Sequence, residues 1–137
     1  MGKKRHTQKA QLLIELDTKR IMATYVGHGQ QHDFSLFKQG RMHIHPNFQL
    51  LADSGYQGLA RIHDNCQIPN KKTKYNPLTK EHKTFNQQLS RKRIFVENVI
   101  RSLKIFKILA LRYRNRRKRF TLRFNLIAAI YNSEIIP

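Results

Sequence analysis

Acidic residues are scarce in this sequence: eight Asp and Glu stand against 27 Lys and Arg, which gives a formal net charge of +19 at pH 7. So large an excess of positive charge predicts a polyanionic partner. The basic residues recur in several clusters along the chain, which favours nucleic acid over an acidic membrane surface. Each phosphate that a basic side chain neutralises releases counterions, and this release drives binding. The composition therefore predicts a partner class but no reaction.

Cysteine is also scarce, and long apolar runs are missing. Cys66 is the one cysteine, so no disulfide can form within the chain, and we expect a reducing cytoplasm as its compartment. No apolar run approaches the roughly 18 residues of a membrane-spanning helix. The start of the chain, MGKKRHTQKA, lacks the apolar stretch of a signal peptide. At 137 residues, the chain has the length of one domain, or of a large part of one.

The first half of the sequence predicts strands. The apolar run QLLIEL (11–16) and the β-branched and aromatic run RIMATYV (20–26) are separated by a short polar segment. This pattern indicates an antiparallel hairpin with both strands largely buried. A third strand is expected in HPNFQLLAD (45–53), ending at Asp53, and a fourth near 66–68.

A short helix and a loop are predicted between these strands and the C-terminal half. Asp33 is interpreted as the cap of a helix that begins near Phe34, with a functional acid as the alternative. Residues 70–89 are basic and nearly free of branched apolar side chains, so we expect an exposed loop there, which a short helix could interrupt.

The second half predicts two long helices, over 90–114 and 120–134, separated by the basic run RNRRKR (114–119). At about 100° per residue, one side of the first helix is apolar. That side carries Val96, Val99, Ile100, Leu103, Phe106 and Ala110. Strands followed by helices indicate an α/β or α+β domain.

Asp53 is the first candidate site residue. It lies at the carboxyl end of a predicted strand, where open α/β sheets bind ligands, and Ser-Gly-Tyr-Gln-Gly follows it. Gly55 and Gly58 would allow a sharp turn there. The alternative is a turn aspartate that accepts a hydrogen bond from its own backbone.

Glu97 is the second candidate, because it is an acid within a basic helical face formed with Arg93, Arg101 and Lys104. One interpretation is a row of i,i+4 ion pairs on a solvated surface, worth only about 0.3–0.5 kcal/mol each. The other is a metal-binding carboxylate whose basic neighbours hold the phosphate on which the metal acts.

Taken together, LLADSGYQG around Asp53 and RIFVENVIRSLKIFKIL around Glu97 resemble the D-D-E transposases of bacterial insertion sequences. The resemblance includes an Arg-x3-Glu-x6-Lys pattern, matched here by Arg93, Glu97 and Lys104. It extends to GKKRHTQKAQLLIEL at the start, to GQQHDFSLF, and to RYRNRRKRFTLRFNLIAAIYN near the end, so it covers essentially the whole chain.

This resemblance implies an α/β, ribonuclease H-like fold, in which helices flank a mixed sheet and a helical pair closes the chain. Asp53 and Glu97 would be two acids of a catalytic triad that holds two divalent ions, Mg²⁺ or Mn²⁺. The expected DNA-binding residues lie on the Glu97 helix and in the basic run. They are Arg93, Arg101, Lys104, Arg114, Arg116, Arg117, Lys118 and Arg119.

In the complete enzyme, a metal-activated water would cut DNA to leave a 3′-hydroxyl, which then attacks target DNA. The first catalytic aspartate of such enzymes precedes the segment that GKKRHTQKAQLLIEL resembles. We therefore expect residues 1–137 to be the C-terminal portion of a catalytic domain, without its first strand and inactive alone. The implied partners are transposon ends, target DNA, further copies on DNA and an upstream-encoded N-terminal segment, at the bacterial nucleoid.

The alternative function is a non-catalytic, basic nucleic-acid-binding remnant of such an enzyme. Tyr75 and Phe85, with lysines nearby, have the composition of a single-stranded DNA contact. A solvated loop with a few packed aromatic rings is the favoured interpretation of the same residues.

A zinc site is a further alternative, because His63 and Cys66 have the spacing of half a site, which His43 together with His45 could extend. A structural zinc site normally takes four nitrogen or sulfur ligands. With one cysteine in the chain, we disfavour zinc.

Overall fold

The computed structural model describes residues 8–103 and 117–135, and it contains short strands followed by long helices. The strands are β1 Gln8–Ile14, β2 Ile21–His28, β3 Leu50–Leu51 and β4 Cys66–Gln67, and the helices are α1 Asp33–Gly40, α2 Lys80–Leu103 and α3 Arg117–Ile135. This content agrees with the predicted α/β class. The chain divides into a hairpin unit, Met1–Gln31 with Phe95–Pro137, and a middle unit, His32–Ile94.

Strands β1 and β2 form the predicted antiparallel hairpin, with Gln8 opposite His28 and an irregularity between Leu13 and Ile14. Burial of both strands was predicted and is wrong, because Met22 is 58% exposed and most other positions are only partly buried. A hairpin of two strands packs one face against the core and leaves the other accessible to water.

Helix α3 forms the core of the hairpin unit with β2 and the end of α2. Its residues Phe120, Phe124, Ile127 and Ala128 recur at helical spacing and are buried. The core cluster also contains Ile21, Val26, Val99 and Leu103. The buried side of α3 therefore supplies half of this core cluster.

The side chain of Asn132 fixes β2 to α3. Its Oδ1 accepts from the Ile21 amide at 2.9 Å, and its Nδ2 donates to the Ile21 carbonyl at 2.8 Å. About two turns earlier, Asn125 bonds Thr24. The hydroxyl of Tyr131, the residue before Asn132, donates to the Lys19 carbonyl at 3.2 Å. Burial raises the pKa of Tyr131.

In the middle unit, β3 and β4 pair in parallel, with Leu50 opposite Cys66. The predicted strand 45–53 is shorter than expected, because a turn in which the Phe48 amide bonds the His45 carbonyl precedes it. Pro46 lies in this turn and has no amide to donate to a strand ladder.

Helix α2 begins ten residues before the predicted position, so the expected loop over 70–89 ends at Thr79. The Thr79 hydroxyl accepts from the His82 amide at 3.2 Å, which is the hydrogen bond of a helix N-cap. The first turns, KEHKTFNQQ, are polar but contain good helix formers. Residues 104–114 of the predicted helix lie outside the described residues.

Helix α3 also begins earlier than predicted, at Arg117, so the end of the basic run is helical. Among the described helices, none combines the length and apolar character needed to cross a membrane.

Candidate active site

Asp53 lies two residues beyond β3, at the end of the strand as predicted. Its Oδ1 accepts from the Gly55 amide at 2.9 Å and so caps a 3-10 turn over Ser54–Tyr56. The turn-aspartate interpretation is therefore correct for one carboxylate oxygen. The second oxygen, Oδ2, lies 3.9 Å from a guanidinium nitrogen of Arg93 on α2.

The Arg93–Asp53 contact places a guanidinium next to a carboxylate at a strand end. Arg93 and Asp53 are 43% and 37% exposed, so solvent screens the pair and its contribution to stability is only about 0–1 kcal/mol. The contact is therefore more important for chemistry: the carboxylate can bind a cation, and the guanidinium can bind a phosphate in two-pronged geometry.

Glu97 follows Arg93 by one turn of α2, and its side chain is exposed. One interpretation of its basic surroundings was a row of i,i+4 ion pairs along α2, and the structure does not show these pairs for Glu97 among the described residues of α2. In the part of the chain that the structure describes, no ion pair within 4.0 Å joins Glu97 to Arg93 or Arg101. Arg93 approaches Asp53 instead. Asp53 belongs to the middle unit, and Glu97 to the hairpin unit.

Asp33 was predicted to cap α1, and this was wrong: the N-cap is His32, and Asp33 is the first helical residue. The Asp33 side chain reaches the Asp53 turn. A Cβ built on Gly55 would lie 2.7 Å from Asp33 Oδ2 and 3.1 Å from Asp53 Oδ1. Two carboxylate oxygens therefore converge on one point above Gly55.

Aromatic side chains of α1 complete this support for the turn. Phe37 packs edge-to-face on Tyr56 at a centroid distance of 6.2 Å. The Phe34 ring lies 3.3 Å from the Cβ position of Gly58, which has φ = +96°. The sequence analysis identified the glycines but did not place Asp33 at this turn, because no local pattern connects it to a turn twenty residues later.

Gly55→Ala is expected to destabilise the chain by about 0.5–1.5 kcal/mol, because the Asp33 carboxylate must rotate away from the added methyl group. Urea unfolding measures the change, with Ser54→Ala, an exposed neighbour, as the matched control. Adding Asp33→Ala should recover part of the loss, so that the double variant is more stable than the sum of the single changes predicts. Strict additivity would show that Asp33 does not constrain Gly55.

Two of the residues considered for zinc, His63 and His45, make other hydrogen bonds. His63 is buried and its Nε2 donates to the Phe48 carbonyl at 2.7 Å, while His45 Nδ1 accepts from the Asn47 amide at 3.2 Å. Burial, and then the nearby Asp64, raise the pKa of the Cys66 thiol, which disfavours the thiolate that binds zinc. The described residues contain no group of three or more His, Cys, Asp or Glu arranged to hold a metal.

The predicted DNA-binding residues are only partly described. Arg101 on α2 and Arg119 on α3 are exposed, as a phosphate contact requires. Lys104, Arg114 and Arg116 lie outside the described residues. Arg117 and Lys118 begin α3, but their side chains are outside the described set.

The chain thus combines a strand-end carboxylate next to an arginine with a helix that carries Glu97 among basic residues, at a net charge of +19. Residues 1–133 match the family described as the transposase DDE domain. The chain belongs to this family.

A curated relative supports the assignment: the probable transposase for insertion sequence element IS702 from Microchaete diplosiphon. The two sequences are 48% identical over 130 residues, which cover 95% of this chain and 47% of the relative. The chain thus spans about half the length of that protein. No solved structure matches the chain significantly.

Proposed function

We propose that this chain supplies two of the catalytic carboxylates, Asp53 and Glu97, for metal-dependent DNA cleavage and strand transfer in insertion-sequence transposition. The observation that carries the proposal is the Arg93–Asp53 contact of 3.9 Å. It connects the strand-end acid to the helix whose next turn carries Glu97. Residues four apart share one face of a helix, so Arg93 and Glu97 lie on the same side of α2.

Mg²⁺ or Mn²⁺ is the proposed cofactor, since hard divalent ions prefer carboxylate oxygens. Asp53 retains one oxygen that the turn does not use, and Glu97 is exposed. The fit is partial, because the described residues form no group of three ligands. Two bound ions would stabilise the attacking and leaving oxygens of the phosphate.

The basic residues hold DNA in this proposal. Arg93, next to Asp53, orients the reacting phosphate, while Arg101 and Lys104 contact neighbouring phosphates from the same helix. The basic run, with Arg114, Arg116, Arg117, Lys118 and Arg119, provides further phosphate contacts. Such contacts position DNA without reading its sequence.

The remaining parts of the enzyme are proposed to come from outside the matched region. The relative is about twice as long as the region that this chain covers, at 47% of its length. We place the third carboxylate, the first strand of a ribonuclease H-like mixed sheet and the N-terminal DNA-binding segment in that other half. The 137-residue chain alone is then inactive, and complete enzymes assemble as oligomers on transposon ends and target DNA.

Calorimetric titration with Mn²⁺ tests the metal site on the chain as it stands. We expect weak binding that both Asp53→Asn and Glu97→Gln reduce about tenfold or more, since even outer-shell changes cost that much. Asp64→Asn and Glu81→Gln, two other exposed acids, are the matched controls and should bind Mn²⁺ like the unmodified chain. Equal affinity in all five proteins would refute the metal site.

A non-catalytic nucleic-acid-binding remnant is the second candidate, favoured by the +19 charge and by the partial ligand set. It predicts salt-sensitive DNA binding that is indifferent to Asp53→Asn and Glu97→Gln, with or without Mn²⁺. A Mn²⁺-dependent gain in DNA affinity that either substitution removes would exclude it.

A further inference from the structure

The loop between β4 and α2, residues 70–79, presents an aromatic ring to solvent. Tyr75 is 85% exposed, the most exposed of the large apolar or aromatic side chains described in the structure. Its described ring partner is Lys74, whose Nζ lies 5.8 Å from the ring centroid. A packed core role is thereby excluded, because the ring is in water.

The base of this loop is fixed to the middle unit. The Asn86 side chain on α2 accepts from the Asn70 amide at 2.7 Å and donates to the Asn70 carbonyl at 3.0 Å. The Gln57 side chain, one residue after the Asp53 turn, donates to the Pro69 carbonyl at 3.2 Å. The loop thus starts from a point bonded both to α2 and to the candidate active site.

The tip of the loop is a closed turn. The Thr73 amide donates to the Asn76 carbonyl at 3.2 Å, and the Asn76 amide donates to the Thr73 hydroxyl at 3.0 Å. Lys74 and Tyr75 occupy the two central positions of this turn. An exposed ring on a hydrogen-bonded turn loses less freedom on binding than a ring on a flexible chain.

The charged side chains of this loop are all positive. Residues 70–79 contain Lys71, Lys72 and Lys74 and no acid, and all three lysines are exposed. Grooves that bind single-stranded nucleic acid combine basic side chains on the backbone with aromatic rings on which bases stack. Duplex bases are already stacked on one another, so they offer the ring no free face.

From this juxtaposition we propose that the Tyr75 loop, residues 70–79, binds an unpaired DNA segment next to the Asp53 turn. Tyr75 stacks on one base, and Lys71, Lys72 and Lys74 contact the flanking phosphates. The inference rests on the proposed function, since it makes DNA the substrate of the same site. Stacking requires no particular base, so binding is indifferent to sequence.

A tryptophan reporter tests the stacking directly, because the chain has no tryptophan. In Tyr75→Trp, indole fluorescence should be quenched saturably by a dT oligonucleotide and recover as salt is raised. Phe48→Trp, at a 67% exposed position of the same unit, is the matched control and should remain unquenched. Equal quenching of both reporters, or quenching of Tyr75→Trp by duplex alone, would overturn the proposal.

Affinity measurements on reporter-free proteins complete the test. Tyr75→Ala should weaken binding of the dT oligonucleotide by about five- to a hundredfold, while Tyr75→Phe stays within about twofold. Duplex binding should be unchanged in both variants. If Tyr75→Ala binds the oligonucleotide normally, the loop proposal fails and the proposed function stands. If the unmodified chain binds neither single-stranded nor duplex DNA, the loop proposal and the proposed function both fail. A preference for oligo(U) over the dT oligonucleotide would assign the loop to RNA and overturn the loop proposal.

Discussion

Asp53→Asn and Glu97→Gln, each introduced into a full-length transposase that carries this chain, are expected to reduce Mg²⁺-dependent strand cleavage by about a thousandfold or more. Metal ions contribute several kcal/mol of transition-state stabilisation, and about 1.4 kcal/mol corresponds to a tenfold change in rate. Asparagine retains an oxygen that can accept from the Gly55 amide, so the turn should persist. Nicking of a labelled transposon end measures the loss.

Asp64→Asn and Glu81→Gln control for the removal of a negative charge, since both acids are exposed and should leave cleavage within about twofold. Circular dichroism should show unchanged melting for all four variants. If the Asp53→Asn enzyme cleaves DNA normally, Asp53 has no catalytic role and serves only to cap the turn through the Gly55 amide.

Leu36→Ala is expected to lower the free energy of unfolding by about 2–5 kcal/mol, because Leu36 is 0% exposed and its loss leaves a cavity beneath α1. Urea denaturation measures the change. Leu126→Ala is the matched control: Leu126 is 62% exposed on α3, and its truncation should cost less than about 0.5 kcal/mol.

The Leu36 prediction also concerns function, because α1 carries the side chains that support the Asp53 turn. Hydrogen exchange of the Gly55 and Tyr56 amides should accelerate in Leu36→Ala and not in Leu126→Ala. A protected turn in a strongly destabilised Leu36→Ala protein would show that α1 does not hold the turn.

Local patterns predicted the hairpin, the short strand at Cys66 and the position of Asp53 at a strand end. These features depend on β-branched runs and turn residues that are close in sequence. The start of α2 was not predicted. A helix is predicted from a stripe of apolar residues at helical spacing, and the first turns of α2 are polar. Residues 80–89 share the polar, basic composition of residues 70–79, so the whole segment was predicted as a loop.

The individual acids of the candidate site could be predicted from the sequence, but the contacts between distant segments could not. Asp53 and Glu97 were selected from their neighbours in sequence. The approach of Asp33 to Gly55, and of Arg93 to Asp53, depends on tertiary packing of α1 and α2. A single sequence contains no record of such pairings, so Arg93 was considered only beside Glu97 on the same helix, as an ion-pair partner or as a phosphate contact.

The Asn132 side chain that bonds both backbone groups of Ile21 has a consequence for synthesis of the chain. The two residues are 111 positions apart, and an isolated two-stranded hairpin is at best marginally stable in water. During translation, β1 and β2 therefore lack this bond until α3 has been synthesised. A stop codon that falls between β2 and α3 leaves a product without the Asn132 bond to β2, which cellular proteases can degrade.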